Sequence, residues 1–134
     1  MPYVAGAYYV RTRAMAVRHH ISLEAEFDSH DAPPTKYILA LDGVLPVATC
    51  RMYPISADRM LIGRVVVLEE YRHRGLGTLV VREAEGWAKE LGYRVSVVDS
   101  RDNKVPFYEK LGYGTVQSLS MEGTFPTMRM EKVL

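Results

Sequence analysis

Between Met60 and Leu68 the chain runs almost without interruption through apolar residues, Met60-Leu61-Ile62-Gly63-Arg64-Val65-Val66-Val67-Leu68, and no other segment constrains the fold as much. A strand with one wet face alternates polar and apolar residues. A near-continuous β-branched run reads instead as a strand covered on both faces, which places it mid-sheet. After a glycine-bearing loop, Leu76, Leu79, Val80, Ala84, Trp87, Ala88 and Leu91 recur at helical spacing. Arg82, Glu83, Glu85, Lys89 and Glu90 fill the opposite face, and Gly92 offers a C-terminal stop.

The other elements are placed around this pair. The apolar spacing of Tyr8, Val10, Ala14, Met15 and Val17 predicts a helix from Ala7 to about His19. Glu24, Glu26, Asp28 and Asp31 then lead into Pro33-Pro34, an exposed acidic connection. Lys36 to Leu41 and Val47 to Tyr53 are β-rich runs around Asp42-Gly43 and predict a hairpin with Pro46 at its edge. Arg94 to Asp99 reads as a short strand, Asn103 to Leu111 as a brief helix ended by Gly112, and Tyr113–Val116 and Thr127–Val133 as two closing strands. This order implies an α/β (α+β) fold with helices packed on a mixed sheet.

Composition excludes several classes of function. With 134 residues, 48% of them hydrophobic, the chain is expected to form one domain, 1–134. Seventeen Lys and Arg against sixteen Asp and Glu give a net charge of +1, which argues against a nucleic-acid coat or a polybasic membrane binder. No secretory signal is read at the start, and the richest apolar stretch falls short of the roughly 20 residues that span a bilayer. The lone cysteine, Cys50, excludes an internal disulfide and reads as a small buried strand residue; a cytoplasmic location is the expectation. His19, His20, His30 and Cys50 lack metal-ligand spacing, so no metal is expected. His19 and His20 read as residues favouring the dipole at a helix end.

Chemistry concentrates in Arg72-His73-Arg74-Gly75-Leu76-Gly77-Thr78, between the central strand and the amphipathic helix. Glycines let a phosphate approach the backbone, and the following helix supplies unpaired N–H groups and the positive end of its dipole. Two arginines and a histidine add donors suited to a pyrophosphate or a 3′-phosphate. The Lys-Ser/Thr ending of an NTPase phosphate loop is absent, and Val80 stands where a dinucleotide fingerprint needs a small residue. A second motif, Val105-Pro106-Phe107-Tyr108-Glu109-Lys110-Leu111-Gly112-Tyr113, follows the short strand after the helix. As a pair, Arg72-x-x-Gly75-x-Gly77 and this segment resemble the GNAT family, the GCN5-related N-acetyltransferases, over about Lys36 to the C-terminus.

The resemblance implies a mostly antiparallel central sheet whose fourth and fifth strands in family order, here Leu61–Leu68 and Arg94–Asp99, splay into a V that holds acetyl-coenzyme A as co-substrate. It implies that the backbone of Val65, Val66 and Val67 pairs with the pantetheine arm as an added strand. It also implies that the N–H groups of Arg72, His73, Arg74, Gly75, Leu76, Gly77 and Thr78 bind the pyrophosphate. Asn103 ranks first for a side-chain contact to the cofactor, with Arg101 as the competing register. Tyr108 matches the family's general acid: a phenol within reach of the departing sulfur can protonate it.

Two departures from the family pattern qualify the expectation. No carboxylate stands near the start of the central strand, so the general base is sought in Glu24, Glu26, Asp28, Asp31 or a water chain. The same acidic run suits a cationic acceptor, whether polyamine, aminoglycoside or lysine side chain. The family's first strand is expected to be short, missing or supplied by a partner, and family dimers leave a homodimer open through Thr127–Val133 and loop 117–126. The function expected is transfer of acetyl to the primary amine of a small-molecule or peptide acceptor by direct attack; the alternative is a non-catalytic coenzyme A-binding or partner-regulating module.

Overall fold

The computed structural model describes residues 2–17, 27–119 and 126–134. Its elements are helix α1 (Pro2–Arg11), continued by π-helical turns over Thr12–Val17, strands β1 (Lys36–Asp42), β2 (Leu45–Pro54) and β3 (Arg59–Val67), helix α2 (Leu76–Glu90), strand β4 (Val95–Arg101), helix α3 (Val105–Lys110), and strands β5 (Gly114–Ser118) and β6 (Thr127–Val133). They build one six-stranded sheet in the order β1-β2-β3-β4-β6-β5. The apolar run is β3, third of the six, and α2 carries the chain from it to its parallel neighbour β4. The other described pairings are antiparallel.

Strict alternation along β2 sorts the two faces. Ala48, Cys50 and Met52 point to the α2 side, where they join Val80, Val81, Ala84 and Ala88 in the main core. The small side chains of Ala84 and Ala88, both fully buried, let the helix lie close on the sheet. Val47 points the other way and packs with Val10 of α1 and Leu68. Thr49, Arg51 and Tyr53 share that α1 face by the same alternation. The hairpin turns through Gly43 at φ 62°, and Pro46 lies beyond the first β3 pairing at Ala48, where no ladder bond is needed.

Two expectations shift. The first helix begins at Pro2, not Ala7, because a proline in the first turn needs no donated hydrogen bond. Among the described residues no strand precedes it. The brief helix is confined to Val105–Lys110, with residues 102–104 forming a separate 3-10 turn.

Polar groups bolt the layers together. Arg11 of α1 is fully buried and grips the carboxylate of Asp31 with both terminal nitrogens, Nη2 at 3.1 Å. Tyr37 of β1 donates to the same carboxylate at 2.7 Å. On the other side of the sheet, Glu85 of α2 accepts from Tyr113 at 2.7 Å and from Lys132 of β6 at 2.9 Å, while Tyr113 and Ser96 of β4 lie 2.6 Å apart. Because the Tyr113 proton goes to the carboxylate, Ser96 is the donor in that last bond.

Burial acts to raise the Asp31 carboxyl, but hydrogen bonds from Arg11 and Tyr37 outweigh it and hold the group well below the usual carboxylate range. Its folded pKa is depressed, so its stabilisation is complete above the unfolded value of about 3.9 and is lost as pH falls toward the folded value. Asp31→Ala is therefore expected to lower unfolding stability by about 3 kcal/mol at pH 7, the scale for breaking a buried ion pair. In urea titrations at falling pH the two proteins should converge.

Candidate active site

The neighbours β3 and β4 pair at only three positions, Arg59 with Val95, Met60 with Ser96 and Leu61 with Val97. Beyond them β3 runs on to Val67 and β4 to Arg101, so the strands part into a V. On its other edge β3 stays bound to β2, through Val66 with Thr49 and Val67 with Ala48. A bulge between the Val66–Thr49 and Gly63–Arg51 pairs, with Arg64 at φ 49°, re-aims the strand where the V opens. Val65, Val66 and Val67 thus lie on a strand edge that no described strand covers toward β4. Such an edge presents unpaired N–H and C=O groups to anything extended that enters the gap.

That edge leads into the cradle. A 3-10 turn over Glu69–Tyr71 is followed by Arg72, then by His73 and Gly75 in the left-handed region at φ 63° and 78°. A non-glycine residue held there costs about 1 kcal/mol, which the surroundings of His73 must supply. Gly75 is the N-cap of α2, no side chain caps the helix, and the bond from Leu79 N to Gly75 O opens the ladder. The amides of Leu76, Gly77 and Thr78 consequently have no intrahelical acceptor. Arg72 Nε donates to the Val67 carbonyl at 3.4 Å, and the Arg74 guanidinium stacks 5.1 Å above Tyr71, itself tethered to Asp42 at 2.6 Å. The loop carries its cations at the mouth of an uncapped 15-residue helix, a combination suited to a multiply charged phosphate.

Tyr108 comes to the same gap from α3. It is 8% exposed and packs in the main core with Val65, Val67, Val98 and Met130, so it closes the V on the α2 side of the sheet. Its ring meets Phe107 and Tyr113 edge-on at 4.9 and 5.7 Å. Its carbonyl accepts from Leu111 N and Tyr113 N, an ending made possible by Gly112 at φ 99°. Phe107 also reaches the cradle, since a Cβ on Gly77 would lie 3.5 Å from its ring. Burial pushes the Tyr108 phenol well above its ordinary value, and among the described residues its hydroxyl has no hydrogen-bond partner. It keeps its proton at neutral pH.

The other named residues fall into place less centrally. Asn103 and Arg101 sit at the outer end of β4, Asn103 in the 3-10 turn over Asp102–Lys104, so both lie at the open end of the V. Cys50 lies beneath α2, its thiol 3.5 Å from the Val80 carbonyl and pushed up by burial, which suits packing and not nucleophilic attack. Of the acidic connection, Glu24 and Glu26 lie outside the described residues, as do His19, His20 and most of loop 117–126. Asp31 is turned inward, whereas Asp28 stays at the surface, and both are bound by arginines. Arg51 grips Asp28 at 2.8 and 3.0 Å and holds its carboxyl below the usual range against the effect of burial. Carboxylates bound and acidified in this way are poor proton acceptors. Among the described residues no group of three or more His, Cys, Asp or Glu side chains is placed to hold a metal ion.

Residues not singled out by sequence lie on the α1 side of the same V: Arg51, Tyr53, Arg64, and the Asp99–Arg129 pair. Their signal is present in β2, where Thr49, Arg51 and Tyr53 alternate with the core residues Ala48, Cys50 and Met52. An arginine on a buried strand face is a demand for a partner.

The chain matches the Acetyltransferase (GNAT) family over residues 6–113. It is 30% identical over 128 residues to a candidate acetyltransferase of Bacillus subtilis (strain 168), covering 94% of this chain and 86% of that protein. The crystal structure of a candidate N-acetyltransferase from Lactobacillus plantarum superposes with a TM-score of 0.92 at 30% identity, over 99% of this chain and 92% of that one. An aminoglycoside 6′-N-acetyltransferase complexed with coenzyme A shares the fold, with a TM-score of 0.78 at 17% identity over 97% of this chain and 89% of that one. With the splayed strands, the uncapped helix and the phenol already in place, the chain belongs to the GNAT family and is an acyl-CoA-dependent N-acetyltransferase.

Proposed function

We propose that the chain transfers an acetyl group from acetyl-coenzyme A to a primary amine by direct attack within one ternary complex, and that residues 1–134 act as a single catalytic domain. The observation that carries this reading is the continuity of three features around one gap: the uncovered β3 edge at Val65–Val67, the uncapped start of α2 and the Tyr108 hydroxyl. When bound, acetyl-coenzyme A supplies the activated acyl group as a thioester.

The rest of the chemistry belongs to the chain. Val65, Val66 and Val67 offer main-chain bonds that align an extended amide-bearing arm. The amides of Arg72 to Thr78, with the Arg72 and Arg74 side chains, would receive the pyrophosphate, and Asn103 would supply a side-chain contact to the cofactor. Tyr108 protonates the sulfur as it departs, a role that its burial suits because a phenol of raised pKa remains protonated. With Cys50 buried and its thiolate disfavoured, attack by the amine itself is the simplest course.

Tyr108→Phe keeps the ring contacts and removes only the donor. It is expected to lower turnover at least about tenfold while leaving acetyl-coenzyme A affinity nearly unchanged, as thiol release and calorimetric titration would show. In the wild type, ionisation of Tyr108 should cause no loss of rate up to about pH 10, the ordinary phenol value.

Charge removal at the cradle should act on binding. Arg72→Gln with Arg74→Gln is expected to raise the dissociation constant for coenzyme A at least about tenfold, because charge-assisted bonds to phosphate are lost. The deficit should narrow as salt is added, since screening weakens the same attraction in the wild type. A salt-independent deficit would point to a misfolded loop.

A further inference from the structure

The two prongs of the V differ in their two faces. On the α2 side Tyr108, Val65, Val67 and Val98 fill the space. On the α1 side each prong carries an arginine–aspartate pair. Arg51 grips Asp28 and reaches Asp31 at 3.1 Å, and Arg64, at the bulge of β3, reaches Asp28 at 3.3 Å. Across the gap, Asp99 of β4 is bound by Arg129 of β6 through two bonds at 2.9 and 3.0 Å.

Tyr53 lies between the prongs. It is paired with Leu61, the last residue of β3 that β4 holds, and its phenol stands in the combined field of Arg51, Asp28, Asp99, Arg64 and Arg129. One face of its ring is covered by His30, stacked at 4.2 Å and 2°. Among the described residues its hydroxyl has no hydrogen-bond partner. Arg51 is 4% exposed, and its Nε is buried with no acceptor. A buried guanidinium nitrogen left unbonded is costly and is a standing demand for an acceptor.

Among the described residues the charge at this mouth nets to one cation. All three described carboxylates, Asp28, Asp31 and Asp99, are already bound by guanidinium groups. Four arginines, Arg11, Arg51, Arg64 and Arg129, face those three aspartates. An acceptor carrying several ammonium groups would meet like charge with no unengaged carboxylate among the described residues. A carboxylate would meet donors: the Tyr53 hydroxyl, and arginine edges suited to planar anions.

We propose that the acceptor is a small amine bearing a carboxylate within a few bonds of its amino group, received on the α1 side of the V, with Tyr53 and the flanking arginines binding the carboxylate and orienting the amine toward the gap. This rests on the reading above that an amine is acetylated there.

The test uses acceptors that differ by one group. Thiol release from acetyl-coenzyme A is measured with the full chain on leucine and leucinamide, on phenylalanine and phenylalaninamide, and on spermidine and kanamycin. Each is also titrated against the coenzyme A-loaded protein, so that binding is read without turnover. The expected result is a KM and a dissociation constant at least about tenfold lower for each carboxylate than for its amide or for either polycation. Tyr53→Phe, which keeps the stack on His30, should raise KM for leucine severalfold without changing acetyl-coenzyme A affinity. Arg129→Gln strips Asp99 of its guanidinium and should move preference toward spermidine.

Equal binding of acid and amide, preference for a polycation, or no binding of any acceptor overturns the acceptor class. Carboxylate preference in binding with no thiol release leaves the class standing and overturns the transfer reading instead.

Discussion

Three hydrogen-bonded residue pairs between β3 and β4, ending at Leu61 and Val97, are the constraint on which the rest depends. Had the ladder continued to Val67, the edge of β3 would be consumed in sheet and there would be no gap. Had it been absent, nothing would hold the parallel neighbours in register while α2 crosses between them. The bulge at Arg64 keeps β3 bound to β2 as it diverges from β4, so the cost of the opening falls on one edge alone. The glycine-bearing loop before α2 begins where that edge ends.

The two sides of the opening have been given opposite materials. Toward α2 it is dry: Tyr108 is sealed among valines and a methionine. Toward α1 it is ionic, with carboxylates and guanidinium groups bound to each other. The opening thus has one face that excludes water and one that carries bound charge.

What was legible in the sequence follows from the range of each interaction. The central strand, α2 and the cradle depend on residues within about a dozen positions of one another, so their periodicity and glycines are visible locally, and Tyr108 is marked by its own short motif. The Arg51–Asp28 and Arg11–Asp31 bonds join residues 23 and 20 positions apart. Nothing local distinguishes an aspartate bound that way from one in water, so the sequence marks an exposed polar stretch, as most of the described part is, without its bonds to Arg51 and Arg11. Tyr53 was hidden for a related reason: its place at the fork depends on where the β3–β4 ladder stops, which is a property of the sheet and not of any segment. The early start of α1 at Pro2 adds a first turn whose residues carry no apolar period of their own, so the sequence announces the helix only from Ala7.

The buried carboxylate of Glu85 has a consequence for how the molecule opens. It binds α2 to Tyr113, through Tyr113 to Ser96 of β4, and through Lys132 to β6. None of these elements can detach alone without leaving a charge or a hydroxyl unpaired in the core, and that penalty exceeds what most local fluctuations supply. The scaffold behind Tyr108 is therefore expected to open as one cooperative block in hydrogen exchange, with α2, β4 and β6 losing protection together.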